Sequence, residues 1–167
     1  MDEESFNMAL DAYSGALKAY AYGICADMQT AEDAVQETFM RYLECGGGVK
    51  NVRPWLYRVC RNRLIDKFKG APPRAEGGDA LEAVAEERPH PAEEIQKEEL
   101  YAELFRCMGR LKANEAEIIS LKYFSGMSYA EMAETLQTTE NNVGVRLKRA
   151  VDSLKRLMLK NGCKKFK

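Results

Sequence analysis

The stretch Gly126-Met127-Ser128-Tyr129-Ala130-Glu131-Met132-Ala133, followed shortly by Asn142-Val143-Gly144-Val145-Arg146-Leu147-Lys148-Arg149-Ala150, decides the fold. Ser128 with Glu131 three residues on forms a capping box, so a helix is expected over Tyr129–Leu136. Thr138-Thr139 begins the next helix, whose inner stripe is Val143, Leu147, Val151, Leu154 and Met158. Ala133 is small where two such helices must pass closely. Two helices joined by a tight turn, the second basic on its outer face, make a helix-turn-helix sized for the DNA major groove. Thr139, Glu140, Asn141, Asn142, Val145, Arg146, Lys148 and Arg149 are left to face outward. Amides and guanidinium among them suit base edges; the hydroxyl, the lysine and the helix N-terminus suit phosphates. The plainer alternative is a helical hairpin with a solvated basic face.

Working back along the chain, every periodic segment reads as helix. Phe6, Leu10, Tyr13, Leu17, Tyr20 and Ile24 recur at three- and four-residue steps, predicting an amphipathic helix over residues 5–26. Thr30 is expected to cap a second helix carrying Ala34, Val35, Thr38, Phe39 and Tyr42, which Gly46-Gly47-Gly48 stops. Pro54 opens a third, in the position where proline is tolerated. Ile95, Leu100, Leu104, Met108 and Leu111 mark another, and Ala116, Ile119, Leu121 and Phe124 one more, broken at Ser125-Gly126. No strand pattern of any length occurs, so the expected fold is all-α, in two small helical domains.

The third helix, Pro54 to Lys69, is the second basic element. Trp55, Leu56, Val59, Cys60, Leu64, Ile65 and Phe68 are expected to be its buried face. Trp55, Tyr57, Arg58, Arg61, Asn62, Arg63 and Lys67 combine aromatics with cations, a surface able to stack on unpaired bases while tracking the backbone. Equally open at this point is a core role for Trp55 and Leu56 with the arginines merely solvated. Asn62 and Asp66, four apart, also suit a hydrogen bond within the domain.

Net charge is −1, but the charge runs in blocks. Residues 1–49 carry −7, 50–70 carry +6, 71–105 carry −7, 106–140 carry −1 and 141–167 carry +8. Such alternation argues for contact surfaces of opposite preference. From Gly70 to Pro91 the chain turns to Pro, Gly, Ala and Glu, the composition of a flexible linker, with a transient helix over Ala80–Glu87. The expected division is residues 1–69, an acidic linker over 70–93, and residues 94–167.

Other functions find little support. The five cysteines form no CxxC pair and the single histidine, His90, stands between two prolines, so metal-ligand spacing is absent. Reduced thiols filling apolar positions are the simplest account of the cysteines. Glu32, Asp33 and Glu37 have no histidine, phosphate loop or metal cluster beside them to make them catalytic. An acidic helix that docks on a basic partner surface fits them better, beside a plain solvated face. No apolar run approaches the ~20 residues that span a bilayer, and Met1-Asp2-Glu3-Glu4 does not begin a signal peptide, so no membrane insertion and a cytoplasmic location are expected.

Taken together, these residues resemble the extracytoplasmic-function (ECF) group of bacterial sigma-70 factors, over about residues 5–69 and 95–158. Ala31-Glu32-Asp33-Ala34-Val35-Gln36-Glu37-Thr38-Phe39 looks like the region 2 helix that docks on the clamp of the polymerase β′ subunit. Pro54-Trp55-Leu56-Tyr57-Arg58-Val59 with Arg61-Asn62-Arg63-Leu64-Ile65-Asp66 is similar to the segment that melts and reads the −10 element. Ser128 to Ala133 and Val143 to Ala150 look like region 4, which reads the −35 element. The resemblance implies a promoter-specificity subunit without catalysis or cofactor, bound to core RNA polymerase through its β′ and β subunits, to promoter DNA and to an anti-sigma factor. It implies docking by Glu32, Asp33, Gln36, Glu37 and Phe39, with the −10 and −35 roles falling to the two outward sets named above.

Three positions depart from the family pattern. Leu111-Lys112 stands where Leu-Pro is usual, so the helix after it is expected to start differently. Gly144 replaces a polar or basic residue, which leaves no side chain to read DNA there. The Gly46–Gly48 loop offers no residue to capture a flipped base. Residues 159–167 form only a short basic tail, unlike subgroups with an added C-terminal domain. A stand-alone helix-turn-helix regulator, which needs only the C-terminal half, and a helical sigma-sequestering protein remain as alternatives.

Overall fold

In the computed structural model, residues 3–67 and 95–162 are described, and among them all regular structure is helical. Helices α1 (Glu3–Cys25), α2 (Met28–Glu44) and α3 (Val52–Lys67) pack on one another as a three-helix unit. Helices α4 (Ile95–Arg110), α5 (Ala113–Ile119), α6 (Tyr129–Leu136) and α7 (Glu140–Lys160) form the second group, with a π-helical turn at Ser120–Phe124 after α5. Linker residues 70–93, including the expected helix over Ala80–Glu87, lie outside the described residues, as do Phe68, Lys69, Cys163 and His90.

The first unit is built around Leu17, Ala21, Leu56, Cys60 and Leu64, each fully buried. An aromatic seam crosses it: Phe6 meets Phe39 edge-on at 6.2 Å, and Tyr42 lies 5.9 Å from Trp55. Such pairs add about 0.5–1.5 kcal/mol each beyond the area they bury. Gly46 and Gly47, at φ +60° and +91°, take the left-handed exit that ends α2, a conformation costly for other residues. The cap of α2 is Asp27 and not Thr30: Asp27 is extended and its carboxylate accepts from the Thr30 amide at 2.8 Å. Thr30 is buried inside the first turn, so its hydroxyl faces Lys67 instead.

In the second group Ser128 and Glu131 close the expected capping box, the Glu131 amide donating to Ser128 Oγ and the Ser128 amide to the Glu131 carboxylate. Gln137, left-handed at φ +52°, makes the turn, and Thr139 caps α7 by accepting from the Asn142 amide at 3.2 Å. Val143, Leu147 and Met158 are buried as expected, while Val151 and Leu154 are half-buried and Ala150 joins the core. Helix α5 starts at Ala113, with Glu115 accepting from the Lys112 amide in place of a proline start.

The π-turn was not foreseen. Its extra residue per turn advances the register: Leu121 points inward, while Phe124, the last apolar residue read into this helix, is 48% exposed and stacks on Phe105 at 5.8 Å.

The two groups touch. Helix α3 packs along α6, and α1 meets α5.

Candidate nucleic-acid interface

Helix α7 presents its first two turns to solvent because Val143 and Leu147 anchor the opposite side against α5 and α6. Thr139, Glu140, Asn141, Asn142, Val145, Lys148 and Arg149 are exposed, and Arg146 is half-exposed between them. All eight thus reach solvent, at the end of the helix where the positive end of its dipole also projects. The Asn142 amide group is held by the Thr138 hydroxyl at 2.8 Å, which fixes its direction. Gly144, between Val143 and Val145, is half-exposed. A Cβ there would meet Tyr129 Cε2 at 3.5 Å, so the glycine marks where α7 passes α6.

Helix α3 is arranged differently from its sequence expectation. Arg58 and Arg61 are half-buried, and Asn62, Arg63 and Lys67 are exposed. Trp55 is half-buried against Tyr42, and Tyr57 is only 1% exposed. Tyr57 lies 4.9 Å from the Tyr20 ring, and burial raises its pKa above the ordinary tyrosine value. Ile65, expected inside, is 45% exposed. The inward set is thus Pro54, Leu56, Tyr57, Cys60 and Leu64. The reason is that α3 is covered on two sides, by α1 and α2 on one and by α6 on the other.

The contacts with the second group are polar as well as apolar. Arg61 Nε donates to Glu117 Oε1 at 2.7 Å, and the Tyr20 hydroxyl donates to the same oxygen at 2.7 Å. Burial first, then the Glu117 charge and hydrogen bond, push the Tyr20 phenol well above its ordinary pKa. Arg53 grips Glu131 through Nε at 3.0 Å and Nη2 at 2.5 Å, and also donates to the Ser125 and Gly126 carbonyls. These hydrogen bonds hold the Glu131 carboxyl below its usual range. Arg53 and Glu117 were absent from the expected sets. A basic residue just before Pro54 was the signal for the first; nothing local marks the second.

On α2, Asp33 and Gln36 are exposed and Glu32 and Glu37 half-exposed, forming an acidic outer face. Glu32 pairs with Lys18 at 3.5 Å, and Glu37 with Arg41 and Arg63. Phe39 does not belong to that face. It is 4% exposed and sits in the core against Phe6. Met40 and Leu43, 63% and 53% exposed, extend the outer face instead, four and seven residues after Gln36, a spacing that would have revealed them.

Comparison with known proteins places this geometry. Residues 9–71 match the family model for Sigma-70 region 2, and residues 101–154 that for Sigma-70, region 4. The ECF RNA polymerase sigma factor BldN of Streptomyces coelicolor is 30% identical over 163 residues, covering 94% of this chain and 61% of that protein. The ECF RNA polymerase sigma factor SigL of Mycobacterium tuberculosis is 30% identical over 154 residues, covering 87% of this chain and 84% of its own length. This chain therefore spans less than two thirds of BldN but most of SigL. Two solved structures share the fold: the sigma factor RpoE of Bartonella quintana, in complex with the anti-sigma factor NepR, at TM-score 0.66 and 24% identity, covering 93% of this chain and 97% of that one. CnrH, in complex with the cytosolic domain of CnrY, also gives TM-score 0.66, at 20% identity, covering 96% and 92%. With both regions matched in order and a relative at 30% identity over most of both lengths, the chain belongs to the ECF group of the sigma-70 family of RNA polymerase sigma factors.

Proposed function

We propose that this chain is a promoter-specificity subunit that carries core RNA polymerase to −35/−10 promoters and has no catalysis of its own. The observation that carries the proposal is the pairing of two opposite surfaces in one chain: an acidic, Met- and Leu-bearing outer face on α2, and a basic outward face on the first turns of α7. The first suits a basic polymerase surface; the second suits a duplex groove.

In this proposal residues 1–69 form the polymerase-docking and −10 domain, 70–93 a connecting acidic linker, and 94–167 the −35 domain. Glu32, Asp33, Gln36 and Glu37 dock on the β′ clamp, with Phe39 supporting them from within, and the chain also meets the β subunit. Trp55, Arg58, Arg61, Asn62, Arg63 and Lys67, joined by Tyr57 once α3 is uncovered, hold the opened non-template strand. Thr139, Glu140, Asn141, Asn142, Val145, Arg146, Lys148 and Arg149 face the −35 duplex. The protein works in the cytoplasm, where polymerase is; among the described residues no helix is long and apolar enough to cross a membrane. The solved relatives in complex with NepR and CnrY support an anti-sigma partner here.

The test is reconstitution. Purified protein and core polymerase should co-elute on size exclusion and together give promoter-dependent transcripts from a genomic template library. Well-folded protein that stays apart from core, yet binds duplex DNA, would identify a stand-alone regulator instead.

A further inference from the structure

Two arginines of α3 already hold anionic partners, and both partners come from the second half of the chain. Arg61 places Nε 2.7 Å and Nη2 3.4 Å from the two oxygens of Glu117. Arg53 spans both oxygens of Glu131. A guanidinium fork bound to both oxygens of a carboxylate is in the geometry it uses for two oxygens of a phosphate. Around these pairs Asn51 donates to Glu134 at 2.8 Å and the Thr135 hydroxyl to the Pro54 carbonyl at 3.5 Å. Tyr57, on the same helix, is 1% exposed, its ring 4.9 Å from that of Tyr20 and its hydroxyl hydrogen-bonded to Ser125 of the second group.

The pairs are not ordinary surface ion pairs. Glu117 retains only 10% of its side-chain exposure and Arg61 26%; Arg53 and Glu131 retain 28% and 29%. Pairs this sheltered are screened less by salt than exposed ones, and Glu117 is further held by Tyr20.

We propose that Glu117 is an intramolecular stand-in for a DNA phosphate on Arg61, and that Glu117 and Glu131 together latch α5 and α6 onto α3, so that a single strand reaches Arg61 and Tyr57 only by displacing them. One guanidinium edge cannot serve Glu117 and a phosphate at once, so latch and strand compete. Being tethered, the carboxylates compete at a high effective concentration. The free protein's affinity for single-stranded DNA is then lowered by the fraction of molecules that stay shut. The latch closes on the −10 surface alone; the outward face of α7 stays open in the same state. This inference rests on the assignment of α3 to the non-template strand.

The experiment uses the full chain, a short fluorescein-labelled single-stranded DNA of mixed sequence at low salt, and small-angle scattering. Glu117→Gln with Glu131→Gln should increase the radius of gyration and tighten DNA binding by about ten-fold, helicity being unchanged. Arg53→Gln, which leaves the α6 capping box intact and lies outside the proposed strand contacts, should act in the same direction. An unchanged radius in both variants overturns the latch. A larger radius with unchanged DNA affinity overturns the competition. Adding Arg61→Ala to the opened protein should abolish the gain in affinity. If the gain persists, Arg61 is not a strand contact and the competition at Arg61 falls with that assignment, while the radius still reports whether the contact between the two halves has opened.

Discussion

Arg63 Nε and Glu37 Oε2 lie 2.5 Å apart, so a residue of the proposed −10 surface is bonded to a residue of the proposed polymerase-docking face. Glu37 also holds Arg41 on its own helix. Asp33, one turn earlier and exposed, accepts among the described residues only from Gln29 on the same helix, at 3.1 Å. The two acids therefore separate docking from architecture. Asp33→Lys should weaken core association with stability unchanged to within about 0.5 kcal/mol. Glu37→Lys should weaken association and also lower stability, by about 0.2–1 kcal/mol for its half-exposed pair. Core pull-down beside thermal unfolding measures both, and full core affinity in Asp33→Lys would remove the docking assignment.

Arg146 sits half-exposed in the middle of the outward face of α7, with Asn142 one turn before it and Arg149 one turn after. Arg146→Ala should weaken binding to a −35 duplex by roughly 1–3 kcal/mol if it makes a bidentate base contact, and the penalty should vary with sequence. An equal loss on every duplex in a binding panel would reassign Arg146 to phosphate.

Local chemistry made much of this legible. The Ser128/Glu131 box, the start of α7 at Thr138-Thr139 and the glycines ending α2 each act within four residues, and each stands where the sequence places it. Thr30 misled because Asp27 is an equally good cap three residues earlier, and the left-handed Ala26, φ +53°, turns the chain there first. Tyr57 and Ile65 sit elsewhere than expected for a longer-range reason, whereas Phe39 stands on the apolar stripe of α2 where periodicity puts it and enters the docking set only through the resemblance. Periodicity finds a helix's apolar stripe but not a second packing face, and α3 acquires one from α6, roughly seventy residues away. The π-turn shifts Phe124 through a register change that no propensity encodes. Glu117 has no sequence signature because its partners, Tyr20 and Arg61, lie 97 and 56 residues distant.

Gly144 offers a stabilisation of α7. Its backbone is helical, and a Cβ would stand 3.5 Å from Tyr129 Cε2, an ordinary contact. Gly144→Ala should therefore recover about 1 kcal/mol of helix propensity. A bulkier residue would press on Tyr129 and lose that gain. Denaturant unfolding of Gly144→Ala and Gly144→Leu distinguishes the two, and loss of stability in the alanine variant would show that α6 and α7 pass more tightly than this.

Tyr20 gives the fold an alkaline limit. Its phenol is buried and bonded to Glu117, so its pKa in the folded chain stands well above the ordinary value near 10. A group whose folded pKa is raised stabilises fully below its unfolded pKa. That contribution is lost as pH climbs from about 10 toward the folded value, because only the unfolded chain then releases the proton. The loss has a limiting slope of about 1.4 kcal/mol per pH unit for each such tyrosine. Tyr57, raised mainly by burial, adds a second share. Tyr20→Phe should cost stability at pH 8, through the lost bond to Glu117, yet narrow its deficit against the parent protein between pH 10 and 11. A deficit that stays constant across that range, in urea unfolding at each pH, would show that the buried phenol does not govern the alkaline transition.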